Sequence, residues 1–458
     1  MMKDFLKAVI VCVLCLSLGA TQSDATSKSA QVDALLAPFN QPNTPGVAVL
    51  VIREGQIVHR KGYGMARLDT KETIEGETAF DLASTSKPFT AMAVMMLAER
   101  GKLSYDDPLY KYFPNFPTYA QKVTIRHLLT HTSGLPDVIS AAWFKSDYAP
   151  NSTDVAAFFL KEPNPKSAPG ERFEYNNSGY LLLAQIVAKV SGKSFAAYMR
   201  ENIFKPLSMN NSMIWDETMP KIEHAAISYA PATDGFHPIE PLSDKFIFGA
   251  KGVISTIDDL GKWVEALTTG KLVKPETFQI ALTPAKLNDG SQSPYGFGWG
   301  LGNDGGLPTI EHPGGYLGYR TNIRIYPTAS TAIVVLSNNA QVDAQTITRN
   351  VGRIYLGDKM SAPQPKVKLD PVVLNSYAGK YKSESAIAPD LVIEITNENG
   401  ELFITSTLRP KAKLIAQSET QFQIGETTAT VTFDRSDTTV TGLTLKTRMG
   451  IINARRLN

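Results

Sequence analysis

The chain has 458 residues, of which 43% are hydrophobic and 20% charged, and a formal net charge of +2. That length suffices for two globular domains. A near-neutral balance without a block of like charges excludes a nucleic-acid groove or a polybasic membrane patch, and points to small neutral or zwitterionic partners.

Lys3 and Lys7 precede an apolar run from Ala8 to Leu18, and a polar stretch then continues through Ser29. The run is shorter than the about 20 residues that span a bilayer, and it fits a secretory signal over residues 1–25. Asp4 is an untidy feature of such a signal, and cleavage after Ala20 or nearer Ala25 fits equally. A periplasmic or secreted protein is expected, with no stable membrane span once the signal is removed. Both cysteines, Cys12 and Cys15, fall inside the run, behind Val11 and Leu14 rather than the small residue that lipidation requires. The mature chain therefore relies on no disulfide.

Gly46 to Ile52 and Gln56 to Lys61 are β-rich runs around Arg53-Glu54-Gly55, a hairpin pattern. Next comes Ser84-Thr85-Ser86-Lys87, the single Ser-x-x-Lys of the chain, followed by Pro88. Three residues make about one helical turn, so the serine and lysine side chains can meet. Pro88 is tolerated only near a helix start, which puts Ser84 at an electropositive N-terminus. A serine hydroxyl needs a base to become nucleophilic, and a lysine amine in suitable surroundings provides one. No Gly-x-Ser-x-Gly offers a rival nucleophile.

Phe89 to Leu103 reads as a helix apolar nearly all round, hence buried, with Gly101 at its end. His127 and His131 stand four apart, as a metal-binding helix would place them, but no Glu follows His127; a structural hydrogen bond fits better, and no metal or other cofactor is expected. Helical patterns continue over Tyr180 to Val190 and Phe195 to Asn202. Just ahead of the first lies Tyr175-x-Asn177. A phenol beside a cation can shuttle a proton, and an asparagine amide can donate and accept together. Strand patterns return at Thr321 to Tyr326 and Thr331 to Leu336. Before them stands His312-Pro313-Gly314-Gly315, whose adjacent glycines allow close backbone approach; a free N–H there can join that of Ser84 in an oxyanion hole, and His312 can donate to a substrate carboxylate. Trp299 is expected in the core, and Tyr316 in the cleft.

Strands at both ends of a helix-rich region predict one antiparallel sheet assembled from distant segments and flanked by helices, with a helical subdomain inserted: an α/β (α+β) domain over residues 30–360. Residues 361–370 are proline-containing and read as a linker. Beyond it, over residues 371–458, Tyr377 to Lys382, Leu391 to Thr396, Glu401 to Thr405, Thr428 to Phe433 and Thr438 to Lys446 alternate as strands, with Asn399-Gly400 as a hairpin turn. An all-β, barrel-like C-terminal domain is expected.

Together the three motifs resemble the β-lactamase and penicillin-binding serine hydrolase family, in the branch of class C β-lactamases, D-alanyl-D-alanine carboxypeptidases, D-aminopeptidases and related esterases. The phrases Gly101 to Pro108, Leu128 to Pro136, Tyr295 to Trp299 and Val334 to Asn338 are similar to that family as well, and the resemblance runs from about residue 30 to 358. It implies Ser84 as the acyl-enzyme nucleophile, Lys87 and Tyr175 as proton-transfer partners, Asn177 as a substrate-amide contact, and Gly314 and Gly315 on the strand that completes the oxyanion hole. His312 stands where many members have lysine, which disfavours a dedicated β-lactamase. The implied activity is hydrolysis of a D-alanyl peptide, another D-amino-acid substrate or an ester, with small-molecule or cell-wall-derived peptide substrates. A penicillin-binding, non-hydrolytic sensor and a class C-like β-lactamase are the alternatives.

Overall fold

The computed structural model describes residues 27–138, 158–159, 164–214, 224–239, 248–361, 367, 369–385, 390–406, 409–425, 429–436, 439–447 and 450–457. The expected signal, residues 1–25, lies outside them, as does most of the 361–370 linker.

The strands β1 (Val47–Arg53) and β2 (Gln56–Tyr63) form the expected hairpin. Four later strands, β3 (Gly300–Asp304), β4 (Leu307–Tyr316), β5 (Tyr319–Tyr326) and β6 (Thr331–Ser337), join it in a six-stranded antiparallel sheet of order β3-β4-β5-β6-β1-β2. The seam between distant segments pairs Val47 with Ser337 and runs to Arg53 opposite Thr331. Period-two alternation assigns each residue of β1 to one of two cores: Ala48 and Leu50 face one, and Val47, Val49 and Val51 the other. Both faces are covered, so the strand reads as continuously apolar.

The larger core carries the inserted helices α1 (Lys87–Glu99), α2 (Asn177–Ser191) and α3 (Ile257–Thr269). Every residue of α1 from Lys87 to Leu97 is buried, and Phe89 stacks on Trp263 of α3 with ring centroids 3.9 Å apart. The helix begins at Lys87, later than the sequence suggested. Ser84 belongs to a 3₁₀ turn, Ala83–Ser86, that feeds it. The opposite sheet face is covered by α4 (Ala344–Leu356) and by a helix through residues 27–36.

After α5 (Pro371–Tyr377) come β7 (Gly379–Ser383), β8 (Val392–Glu398), β9 (Glu401–Ser406), β10 (Arg409–Ala416), β11 (Gln421–Ile424), β12 (Thr430–Ser436), β13 (Thr439–Thr447) and β14 (Gly450–Arg456). They close into a barrel, with Tyr381 of β7 opposite Arg456 of β14. Closure leaves no free edge. Tyr377, read from sequence as a strand residue, ends α5 instead: Asp370 caps that helix and Pro371 opens it. Its ring stacks on Phe433 in the barrel core, 4.1 Å between centroids. Among the described residues, no helix is long and apolar enough to cross a membrane.

Candidate active site

The turn bearing Ser84 is strained and tied down. Ala83 sits in the left-handed region, φ +49°, at a cost of about 1–2 kcal/mol for a residue with a side chain. Its N–H donates to Asp81 Oδ1 at 2.7 Å, while Leu82 N–H donates to Val253 O at 2.9 Å and Val253 N–H to Ser86 Oγ at 3.0 Å. On the other side, Thr321 Oγ1 donates to Leu82 O at 2.8 Å and Thr85 Oγ1 to His312 O at 3.0 Å. The strand segment at Val253 and the sheet strands β4 and β5 thus clamp the turn between them. Strand β4 lies so close that a Cβ on Gly314 would fall 2.3 Å from Leu82 O, whereas one on Gly315 would meet nothing nearer than 3.9 Å. The close backbone approach expected of the glycine pair is therefore required at Gly314 alone.

Lys87 is fully buried. Its Nζ lies 3.2 Å from Ser84 Oγ, and donates to Asn177 Oδ1 and Ala250 O, each at 2.9 Å. Two of the three tetrahedral positions on that nitrogen are thereby held by acceptors that cannot give a proton, and the third points at the serine oxygen. In its neutral form an amine so held can turn a lone pair to that hydroxyl and take its proton. Ala250 O reaches Lys87 because Gly249, at φ +96°, packs its Cα against α2; a Cβ there would stand 2.4 Å from Tyr180 O.

Asn177 is the first residue of α2, behind the N-cap Asn176, whose side chain accepts from Gly179 N–H at 3.0 Å. Its amide is fixed at both ends: Oδ1 takes the Lys87 bond, and Nδ2 and the backbone N–H donate to Asp137 Oδ2 at 3.1 and 3.2 Å. The arrangement orients Lys87, a task the sequence had not assigned to this residue. Asp137 was missed; it stands just past the Leu128-to-Pro136 phrase, and no spacing linked it to Asn177.

The half-buried Tyr175 ring faces Lys87 Nζ, 4.8 Å from the ring centroid, and packs on His131, 4.3 Å between centroids. His131 is buried, and its Nδ1 accepts Asn176 N–H at 3.1 Å, which places its own proton on Nε2. His127 is turned elsewhere, accepting Thr124 N–H in a helix-capping box at 3.1 Å. The two histidines hold backbone, and no group of three His, Cys, Asp or Glu among the described residues could hold a metal ion.

The His312 expectation needs correction. Its ring is 2% exposed; Nδ1 lies 2.8 Å from Pro313 O, which can only accept, so Nδ1 carries the proton and Nε2 accepts from Tyr295 OH at 2.8 Å. Both ring nitrogens face protein partners rather than a substrate carboxylate. Lys251 also lines the cavity, its Nζ 3.4 Å from the centroid of the Tyr316 ring. Trp299, by contrast, is in the core as expected.

Burial depresses three imidazoles: His59, His127 and, furthest, His131, where Lys87 and His312 add to the effect. Between those lowered values and the ordinary value of about 6.5, the unfolded chain binds protons that the folded one refuses, so stability rises with pH. Acidification below about pH 6.5 should therefore cost up to ~1.4 kcal/mol per pH unit for each histidine. Urea unfolding at pH 7, 6 and 5 measures this, and a flat profile would contradict it.

Ser84, Tyr175, Asn177, Lys251, His312 and Gly315 all line one cavity of about 690 Å³. A nucleophile with an oriented amine, in a cleft walled by an edge strand, is the apparatus of acyl transfer. Fold and centre together define a serine hydrolase of the β-lactamase and penicillin-binding type. The beta-lactamase family pattern matches residues 32–355, and the chain belongs to that family. Penicillin-binding protein 4* of Bacillus subtilis is 30% identical over 420 residues, covering 86% of this chain and 91% of that protein. Protein flp of Staphylococcus aureus is 27% identical over 321 residues, 67% of this chain; the chain spans 62% of that protein's length. The octameric penicillin-binding protein homologue from Pyrococcus abyssi matches with a TM-score of 0.66 at 25% identity, over 93% of this chain and 99% of that one.

Proposed function

We propose that this hydrolase is exported and cleaves D-alanyl peptides, D-amino-acid amides or related esters through an acyl-enzyme on Ser84. The observation that carries the reading is the Lys87 amine, 3.2 Å from Ser84 Oγ with its other two positions committed to Asn177 and Ala250. Ser84 Oγ attacks the substrate carbonyl carbon as its proton passes to Lys87 Nζ. The oxyanion is met by backbone N–H groups of Ser84 and Gly315. Collapse expels the amine or alkoxide, protonated by way of Tyr175, and water then hydrolyses the ester.

A panel of D-alanyl-D-alanine peptides, D-amino-acid amides, nitrophenyl esters and nitrocefin, assayed side by side, tests the choice. Preference for the D-configured amides or peptides is expected. Turnover of nitrocefin above all others would favour a β-lactamase, and labelling of Ser84 by penicillin without turnover of any member would favour a sensor. Export rests on the pattern of residues 1–25; full-length protein retained in the cytoplasm would overturn it.

A further inference from the structure

The cavity does not stop at Ser84. It continues past β4 to the opposite face of the sheet, where Gln345, Arg349 and Arg353 of α4 line it from one side. Their spacing of four residues puts all three on one helix face. The facing wall is the barrel: Gln423 of β11, Thr430 of β12 and Lys446 of β13 also line the cavity, and the strand register sets them side by side, Gln423 opposite Thr430 and Thr430 opposite Lys446. Alternation explains their direction, since Phe422, Ile424, Val431 and Leu445 fill the barrel interior and their neighbours point outward.

Arg349 is the unusual member. It is 4% exposed, and its buried NH1 has no hydrogen-bond partner among the described residues. The nearby carboxylates are engaged by another arginine: Arg324 donates to Asp304 Oδ2 at 3.0 Å and to Glu311 Oε2 at 2.9 and 2.6 Å. Glu311 also accepts from Asn322 and Gln345, and Asp304 from Tyr326. Burial, with Arg324 beside it, pulls the Arg349 guanidinium below its ordinary range. A buried donor without an acceptor costs free energy that a bound anion would return.

We propose that this end of the cavity, between Arg349 of α4 and Lys446 of the barrel, is a second subsite that takes a carboxylate carried at the distal end of the acyl donor. The inference rests on the acyl-transfer reading of Ser84 and narrows its substrates to donors with an anionic far end. It also gives the barrel a role as the outer wall of the specificity pocket. A guanidinium matches a carboxylate with two parallel N–H bonds, and Lys446 adds a point charge from the opposite side.

Two arms test it on the full-length protein. In the first, N-succinyl-D-alanyl and N-acetyl-D-alanyl p-nitroanilides are compared in wild type, Arg349→Met and Lys446→Ala. The succinyl-to-acetyl ratio of kcat/KM should fall about tenfold in Arg349→Met and by less in Lys446→Ala. Turnover of both substrates with an unchanged ratio would overturn the subsite and leave the acyl-transfer reading intact. In the second arm, succinate alone is titrated calorimetrically into Ser84→Ala protein with and without Arg349→Met, so the subsite is read even where no turnover occurs. Binding that Arg349→Met weakens about tenfold supports the proposal; no binding, or binding indifferent to Arg349, overturns it. The unfolding midpoint separates a structural role: Arg349→Met should leave it near the wild-type value, because the Nη1 donor has no hydrogen bond to lose and Arg324 stays on Asp304 and Glu311, and a marked fall would assign the arginine to the fold instead.

Discussion

Ser84→Ala should abolish turnover of every substrate the protein accepts, together with covalent labelling by penicillin or a fluorescent phosphonate. Lys87→Met should cost about 10²–10⁴ in kcat, the usual worth of a positioned proton-transfer group. Because Lys87 works only through Ser84 Oγ, 3.2 Å away, the double variant should be no slower than Ser84→Ala alone. Stability should move the other way. Lys87 is fully buried, and methionine fills a similar volume without a polar head, so Lys87→Met should raise the unfolding midpoint while destroying activity. Kinetics on a nitrophenyl ester, with a thermal melt of each variant, decide the matter. Lys87→Met protein that retained activity within tenfold of wild type would remove the lysine from the mechanism.

The largest effect on stability should come from Arg324→Met. The Arg324 side chain is 2% exposed and is salt-bridged to Asp304 and Glu311, themselves 9% and 13% exposed, so its removal strips both buried carboxylates of the guanidinium that donates to them. Breaking a buried pair in this way costs about 3–5 kcal/mol. For a domain of this size that lowers the midpoint by roughly 10 °C. All four tryptophans precede residue 300, so their fluorescence follows the hydrolase domain without interference from the barrel. Replacing both carboxylates with amides in the Arg324→Met background should recover most of the loss, since the penalty lies in the stranded charges rather than in missing contacts. By comparison, Arg126→Met breaks an exposed pair with Asp106 and should change stability by at most about 1 kcal/mol. A loss at Arg324 no larger than that would show the network to be dispensable.

Most of the candidate site was legible because it is local. Ser84 and Lys87 are three residues apart on one turn, Asn176 caps α2 and so presents Asn177, and Gly314 marks the close approach of β4 to Leu82. The sheet was legible in outline, since the β1–β2 hairpin and the strands β5 and β6 alternate or run apolar over their lengths. The barrel was harder: β10, β11 and β14 went unread, and Tyr377 was taken for a strand residue although Asp370 and Pro371 start a helix there. β10 begins Arg-Pro-Lys, β11 is only four residues long and β14 joins Ile-Ile to a closing Arg-Arg, so an apolar period of two is short or broken in each.

The sequence by itself singled out the Ser84–Lys87 pair, the serine-hydrolase class and the two-part architecture, all through spacings of a few residues or patterns within one element. Tertiary structure alone decided what each side chain faces. It turned His312 toward Tyr295 and Pro313, set Asn177 between Lys87 and Asp137, buried Arg349 Nη1 without an acceptor among the described residues, and brought Lys446 of the barrel to the same cavity as Ser84. Those partners are separated by tens to hundreds of residues. Helical and strand periodicity fix which way a side chain leaves its own element, but what it meets there depends on which distant segments the cores bring together.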